Sequence, residues 1–308
     1  MFDIVLPAKV VLIGGLTAAA VMLLAIRRTP HATRSDVSWI WAIGLGVWAA
    51  ASANDQWPHW PPLEDRGRFL TLLVPLAVAV ETVAATVPSR RVVWGMRIAL
   101  ASVTGPILLY NSVYLADLNG PGSAEWSAAQ AAIVLCGLAI ILAVVWAMLS
   151  TLEARTSTAA VMWPLVLDAL AVGVTVMLSG YYGGGLLGLG LAGAVGGATL
   201  GSHASESPAT TNGYVGIAII GILSVVLMGR FFGSLSTGLA ACLLVPPLAA
   251  WIVELPRLRG LAPSWRSTVR LACVAVPLMA VVIVAQRKFV AASAARSQPL
   301  EPGSVQER

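Results

Sequence analysis

The sequence predicts an all-α polytopic transmembrane helical bundle of about ten spans, and three observations carry that expectation. Hydrophobic residues make up 58% of the 308, charged residues only 11%, and the mean hydropathy is +0.84. Such a composition lies outside the range of soluble globular domains. Apolar runs of about 20 residues, the length that crosses a bilayer, recur along the chain. Most arginines fall between these runs, where they orient helices in a membrane, so the net charge of +5 does not call for a nucleic-acid partner. The expected partner is the lipid bilayer, together with an unidentified small solute or membrane protein.

The length rule reads ten spans, at 6–26, 36–54, 69–87, 93–115, 127–150, 158–180, 183–201, 213–229, 232–254 and 267–286. The first begins without the basic region and small-residue cleavage site of a signal peptide, so it is expected to be retained as a helix. Lys9 near its start can snorkel to the headgroups. Arg27, Arg28 and Arg34 follow it and mark the cytoplasmic side. Arg90, Arg91 and Arg97 around the third-to-fourth turn, and Arg155 after the fifth span, agree. The opposite connections, around Asp55 to Arg68 and Asp117 to Glu125, carry more acid than base and put the N-terminus outside. The second span is rich in tryptophan, with Trp39, Trp41 and Trp48.

Between the second and third spans lies the longest polar interruption of the first half, Asn54 to Phe69. Its Trp57-Pro-His59-Trp60-Pro-Pro cannot continue a helix and is expected to lie along the outer surface. Trp57, His59, Trp60, Glu64 and Asp65 are the extracytoplasmic candidates for recognition, although one histidine with scattered acids has no metal-ligand spacing. The third span holds Pro75 and Glu81; the fourth holds Arg97, Pro106, Tyr110, Asn111 and Tyr114. Helical rise places Glu81 and Arg97 at similar depths on neighbouring antiparallel helices, where they can pair. Asp168, near the middle of the sixth span and four residues after Pro164, has no basic residue at its depth. A membrane carboxyl of that kind is either neutral or lines a polar cavity, and it is the leading functional candidate.

The seventh span is so rich in glycine that a re-entrant or tightly buried segment is an alternative to a crossing, and omitting it would invert everything downstream. Gly185, Gly193, Gly197 and Gly201 stand in four-residue register, which lets helix backbones approach closely. The Gly188-Leu-Gly190-Leu-Ala-Gly193 stretch matches the dinucleotide fingerprint in form only, having no preceding soluble strand and no acid at the required distance. No Walker-type lysine is present. Cys136, Cys242 and Cys273 lie inside spans without ligand spacing and read as small buried hydrophobes. No cofactor, metal or catalytic constellation can be assembled, so an enzyme is not expected. Ser202 to Gly213, with His203 and Glu206, reads as a flexible polar connection, and 287–308 as a disordered tail.

Shifting the chain by 171 residues aligns 72–106 with 243–277 at ten identities, among them Leu72-Leu73-Val74-Pro75 with Leu243-Leu244-Val245-Pro246, Trp94 with Trp265, and Pro106 with Pro277. Residues 6–115 and 183–286 are then repeat halves within one membrane domain, 1–308, joined by the helices at 127–180. A six-helix shift preserves orientation, which makes the repeat parallel and favours ten spans. The second copy offers Glu254 and Arg270 as the counterpart of Glu81 and Arg97, each displaced by two positions.

The Trp-Pro-Pro-Leu-Glu-Asp-Arg-x-Arg-Phe-Leu run from Trp60 and the later Leu-Asn-Gly-Pro-Gly-Ser-Ala-Glu-Trp-Ser resemble uncharacterised, planctomycete-like multi-pass membrane proteins of bacteria. That resemblance covers mainly the first half and implies no activity, but it implies a bacterial inner membrane as the location. Ten helices in about 300 residues are also similar to drug/metabolite-type transporters, whose inverted five-helix duplication the offset does not support. The first functional expectation is a small-solute transporter or permease, proton-linked through Asp168 and Glu81. The alternative is a non-transporting scaffold or partner-binding protein that works through the outer Trp/Pro loop.

Overall fold

The computed structural model describes residues 5–28, 35–54, 57, 60–116, 118, 125–202, 214–258, 260 and 262–296. Among these residues there is no strand, and ten helices follow in order. They are α1 (Val5–Arg28), α2 (Ser35–Ser52), α3 (Asp65–Thr86), α4 (Arg90–Leu109), α5 (Ala128–Glu153), α6 (Thr158–Leu178), α7 (Tyr182–Ser202), α8 (Tyr214–Phe231), α9 (Thr237–Glu254) and α10 (Pro263–Arg296). Nine are long and apolar enough to cross a membrane, and the apolar part of α2, Val37–Ser52, is shorter. The chain is a multi-pass, all-α membrane bundle.

Two helices depart from α geometry, each beside a proline. In α3 a π turn runs over Phe69–Leu73, and the Val74 N–H donates to Phe69 O instead of Leu70 O. The next amide is that of Pro75, which has no N–H, so the Leu70 carbonyl loses its helical donor. The Trp48 indole of α2 fills the vacancy, donating to Leu70 O at 3.1 Å. In α9 the α-helix Thr237–Leu244 gives way to a 3-10 helix over Pro246–Glu254. Pro246 and Pro247 have no N–H to return to the Cys242 and Leu243 carbonyls, and the tighter Leu248 N–H to Val245 O bond starts the new winding. The larger 3-10 rise lets these short pieces reach about 30 Å together, the thickness of the hydrocarbon.

The glycine-rich segment is a continuous helix, α7, and with α8 it is the most enclosed part of the bundle. A Cβ at Gly193 would collide with the Val11 backbone and one at Gly197 with that of Gly15; one at Gly201 would reach Met22 and Ala19. These matches ascend together, so α1 and α7 run side by side in the same direction at backbone contact. Those at Gly173 with Gly188, and Val166 with Gly196, run in opposite senses, so α6 and α7 are antiparallel.

Three expectations need correction. Helix α4 ends at Leu109 rather than 115, because Pro106 removes a hydrogen-bond donor near its end and Asn111 turns the chain at φ 53°. Helix α10 continues to Arg296, so residues 287–296 are not a disordered tail; the alanine-rich stretch after Phe289 has no breaker to stop it. Residues 297–308 lie outside the described ones. Cys136 and Cys242 are exposed on the helix surface and Cys273 is half-buried. An outer face that meets lipid is as apolar as the interior, so a small hydrophobe has no preference for the core.

Candidate functional site

The polar residues singled out from the sequence do not converge on one site; they separate into three. The first is at the bundle end where α3 starts and α6 meets α7. Trp57 and Trp60 are exposed, as is Leu63, and the Trp57 ring packs edge-on against Trp48 at 5.8 Å between centroids. His59 lies outside the described residues, as do Asp55 and Asp117. Glu64 pairs with Arg66 at 2.6 Å on the surface, where such a pair contributes about 0–1 kcal/mol. Asp65, by contrast, is buried as the first residue of α3, and both its carboxylate oxygens lie 2.7 Å from the donating Tyr181 hydroxyl in the α6–α7 turn. Burial, reinforced by that acceptor, pushes the Tyr181 phenol above its ordinary range. Arg68 donates to Leu63 O at 2.8 Å and to Leu108 O at 3.1 Å, so its cation caps the end of α4. Ser234 donates from its N–H and its hydroxyl to Ser179 O, at 2.9 and 2.7 Å, which joins the α8–α9 connection to the same end.

The second comprises the ion pairs. Glu81, with no exposed surface, takes both a 2.9 Å bond from Arg97 Nε and a 2.7 Å bond from Arg97 Nη2. The guanidinium carbon lies 5.5 Å from the Trp94 ring centroid and 5.4 Å from that of Trp146, so aromatic faces lie around the cation. A Cβ at Gly216 of α8 would sit 2.5 Å from Glu81 Oε1 and would also strike Trp146. Glycine there opens the space that the carboxylate fills. The second pair is Glu254 with Arg270 at 2.7 Å, with Arg266 a further donor at 3.3 Å. Each pair is separated by 16 residues. Asn111 joins neither pair, since it is exposed in the turn after α4.

The third is Asp168. It is 1% exposed, and neither carboxyl oxygen has a hydrogen-bond partner. It lines a cavity of about 20 Å³ otherwise walled by hydrocarbon: Leu165 from its own helix, Ile141, Leu142, Val145 and Leu149 from α5, Ile219, Ile222 and Leu223 from α8, and Leu244 and Pro247 from α9. Roughly 10–15 Å³ is needed for one water, so the cavity has room for about one. Leu244 and Pro247 flank the point where α9 changes winding, which brings the irregular backbone to the acid. Of the two environments expected for Asp168, a polar cavity is not the one it occupies.

No metal-ligand group of three or more His, Cys, Asp or Glu forms among the described residues. Tyr181, Trp146, Gly216 and Arg68 escaped sequence reasoning because each acts across a long chain separation, with no local pattern to mark it. Comparison with family models, curated proteins and solved structures returns no match.

Proposed function

We propose that this protein is a small-solute permease of a bacterial inner membrane, with Asp168 and the α9 break as its working site. The observation that carries this reading is an enclosed carboxyl without a partner beside a helix whose hydrogen bonding is interrupted. An unmatched acid in a membrane costs several kcal/mol and is retained where it serves a solute or proton pathway. Interrupted helices near the middle of the bilayer are a recurrent way of building such sites, because freed backbone groups become available for ligands. Glu81 and Arg97 have a different part: their groups are mutually satisfied, which supports a structural strut. The equal spacing of the two ion pairs, whose acids follow Pro75 on α3 and Pro246 on α9, supports a parallel repeat.

The test is flux in proteoliposomes holding the purified protein, with a panel of small solutes and an imposed pH gradient. Flux of at least one solute, abolished by Asp168→Asn at unchanged insertion, is the expected result. Absence of flux for every solute in the wild-type protein overturns the permease. The scaffold alternative is favoured by the exposure of Trp57 at 59% and Trp60 at 78%, which leaves an aromatic surface for a membrane partner. It predicts that Trp57→Ala with Trp60→Ala abolishes co-purification of that partner and that Asp168→Asn does not.

A further inference from the structure

We infer that Asp168 is a binding site for a single proton and not for a metal cation, and that the proton reaches it from the α6–α7 end of the bundle. The inference rests on the permease reading for its purpose, since it names the coupling ion of that same site, but its chemistry stands on the cavity alone. Hard cations require about six oxygen ligands. The side chains lining the cavity provide one carboxyl group and otherwise only hydrocarbon, in a space for about one water. A proton needs no coordination shell, and a neutral carboxylic acid is the form that hydrocarbon walls tolerate. The Cys242 and Leu243 carbonyls, deprived of proline N–H donors, are the groups that would best serve a cation instead, which sets the competing outcome.

The elements packed against α6 bring no charge to this cavity. α5, α8 and α9 contribute only the aliphatic residues and proline named above. Their ionisable groups are placed elsewhere: Glu153 at the end of α5, Tyr214 at the start of α8 with its ring 5.1 Å from that of Trp39, Arg230 donating to Thr237 Oγ1 at 2.8 Å, Glu254 paired with Arg270 of α10, and the thiols of Cys136 and Cys242 on the exposed surface. Of the other ionisable groups of α10, Arg266 also faces Glu254, and Arg287 and Lys288 lie well beyond Arg270 toward the far end of the helix. Tyr182, the ionisable residue of α7, opens that helix far from Asp168. Thr175 of α6 follows Asp168 by seven residues, and Ser179, which caps the end of that helix with its hydroxyl donating to Val176 O at 2.7 Å, follows by eleven, so helical periodicity puts all three on one side. Thr175 is fully buried, and its hydroxyl has no partner. The spacing from Asp168 is about 10 Å to Thr175 and about 16 Å to Ser179. Ser179 lies at the end where Tyr181 and Asp65 meet.

The experiment uses the full chain in nanodiscs and needs no transported solute. Dicyclohexylcarbodiimide enters apolar sites and reacts with a protonated carboxyl: the acid O–H adds across one C=N bond, its oxygen to carbon and its hydrogen to nitrogen. Peptide mapping should find the adduct on Asp168, lost in Asp168→Asn and unchanged by sodium or magnesium at fixed ionic strength. Infrared spectroscopy should show a protonated-carboxyl band that Asp168→Asn removes, and Thr175→Val should slow its deuterium exchange several-fold. Protection from the carbodiimide by either cation overturns the proton in favour of a metal site. Labelling of Glu81 in place of Asp168, or no labelling, overturns the site, and unaltered exchange in Thr175→Val overturns the route. Since none of these readings involves flux, a proton site found with no transported solute would sink the permease and leave the proton inference standing.

Discussion

Glu81 and Arg97 are the residues whose energetics the surroundings define most closely. Removing one member leaves a buried charge without its partner, at a cost of about 3–5 kcal/mol, whereas an apolar pair of similar volume is often neutral. Glu81→Gln should therefore lower the thermal unfolding temperature in detergent sharply. The double variant Glu81→Gln with Arg97→Met should regain much of the loss, and equal instability of both would contradict the strut. Gly216→Ala approaches the same carboxylate from α8. Its methyl group cannot fit beside Glu81 Oε1 and Trp146, and overpacking of this kind costs about 1–3 kcal/mol. Tyr181→Phe leaves the buried Asp65 carboxylate without its hydroxyl donor and should cost about 1–3 kcal/mol, read in the same assay.

At the scale of elements, contact between α1 and α7 depends on the absence of side chains. Gly197→Leu should drive the helices apart and convert a monodisperse peak in size-exclusion chromatography into aggregate. Gly137→Leu on α5 provides the control, since a Cβ there meets nothing within 4 Å. Retention of a monodisperse Gly197→Leu protein would show that the two backbones do not touch. Helix α9 is subject to an opposite demand. A proline inside a helix costs about 3 kcal/mol, so Pro246→Ala with Pro247→Ala should stabilise the helix. If the interruption serves Asp168, that same variant should lose flux while gaining thermal stability. Gains in both would mean that the break has no part in transport.

The whole molecule is organised around α7 and α8, with the other helices arranged about them. Tight turns at 87–89, 154–157 and 179–181 force antiparallel neighbours. The shared direction of α1 and α7 is what a crossing by α7 requires. Single cysteines at Ser202 and Ser264 on a cysteine-free background should label only after permeabilisation, and one at Ser234 should label in intact cells. The reverse pattern would contradict both the ten-span threading and the parallel repeat. Cys136 and Cys242 must be removed first, because both are exposed.

Membrane residence, the helical class and the approximate extent of the spans follow from the sequence alone, because a bilayer imposes length and hydropathy on each helix independently of its neighbours. The pairing of Glu81 with Arg97 was also legible, since both lie on consecutive helices whose rise fixes their depth. Tertiary structure decided what depends on faces and partners. It turned Asp65 inward to Tyr181, put Asn111 into a turn and made the glycine-rich segment a central helix against α1. It left Asp168 alone among hydrocarbon beside the broken α9. Those outcomes turn on which helix faces which, and hydropathy carries little of that information when lipid and protein interior are equally apolar.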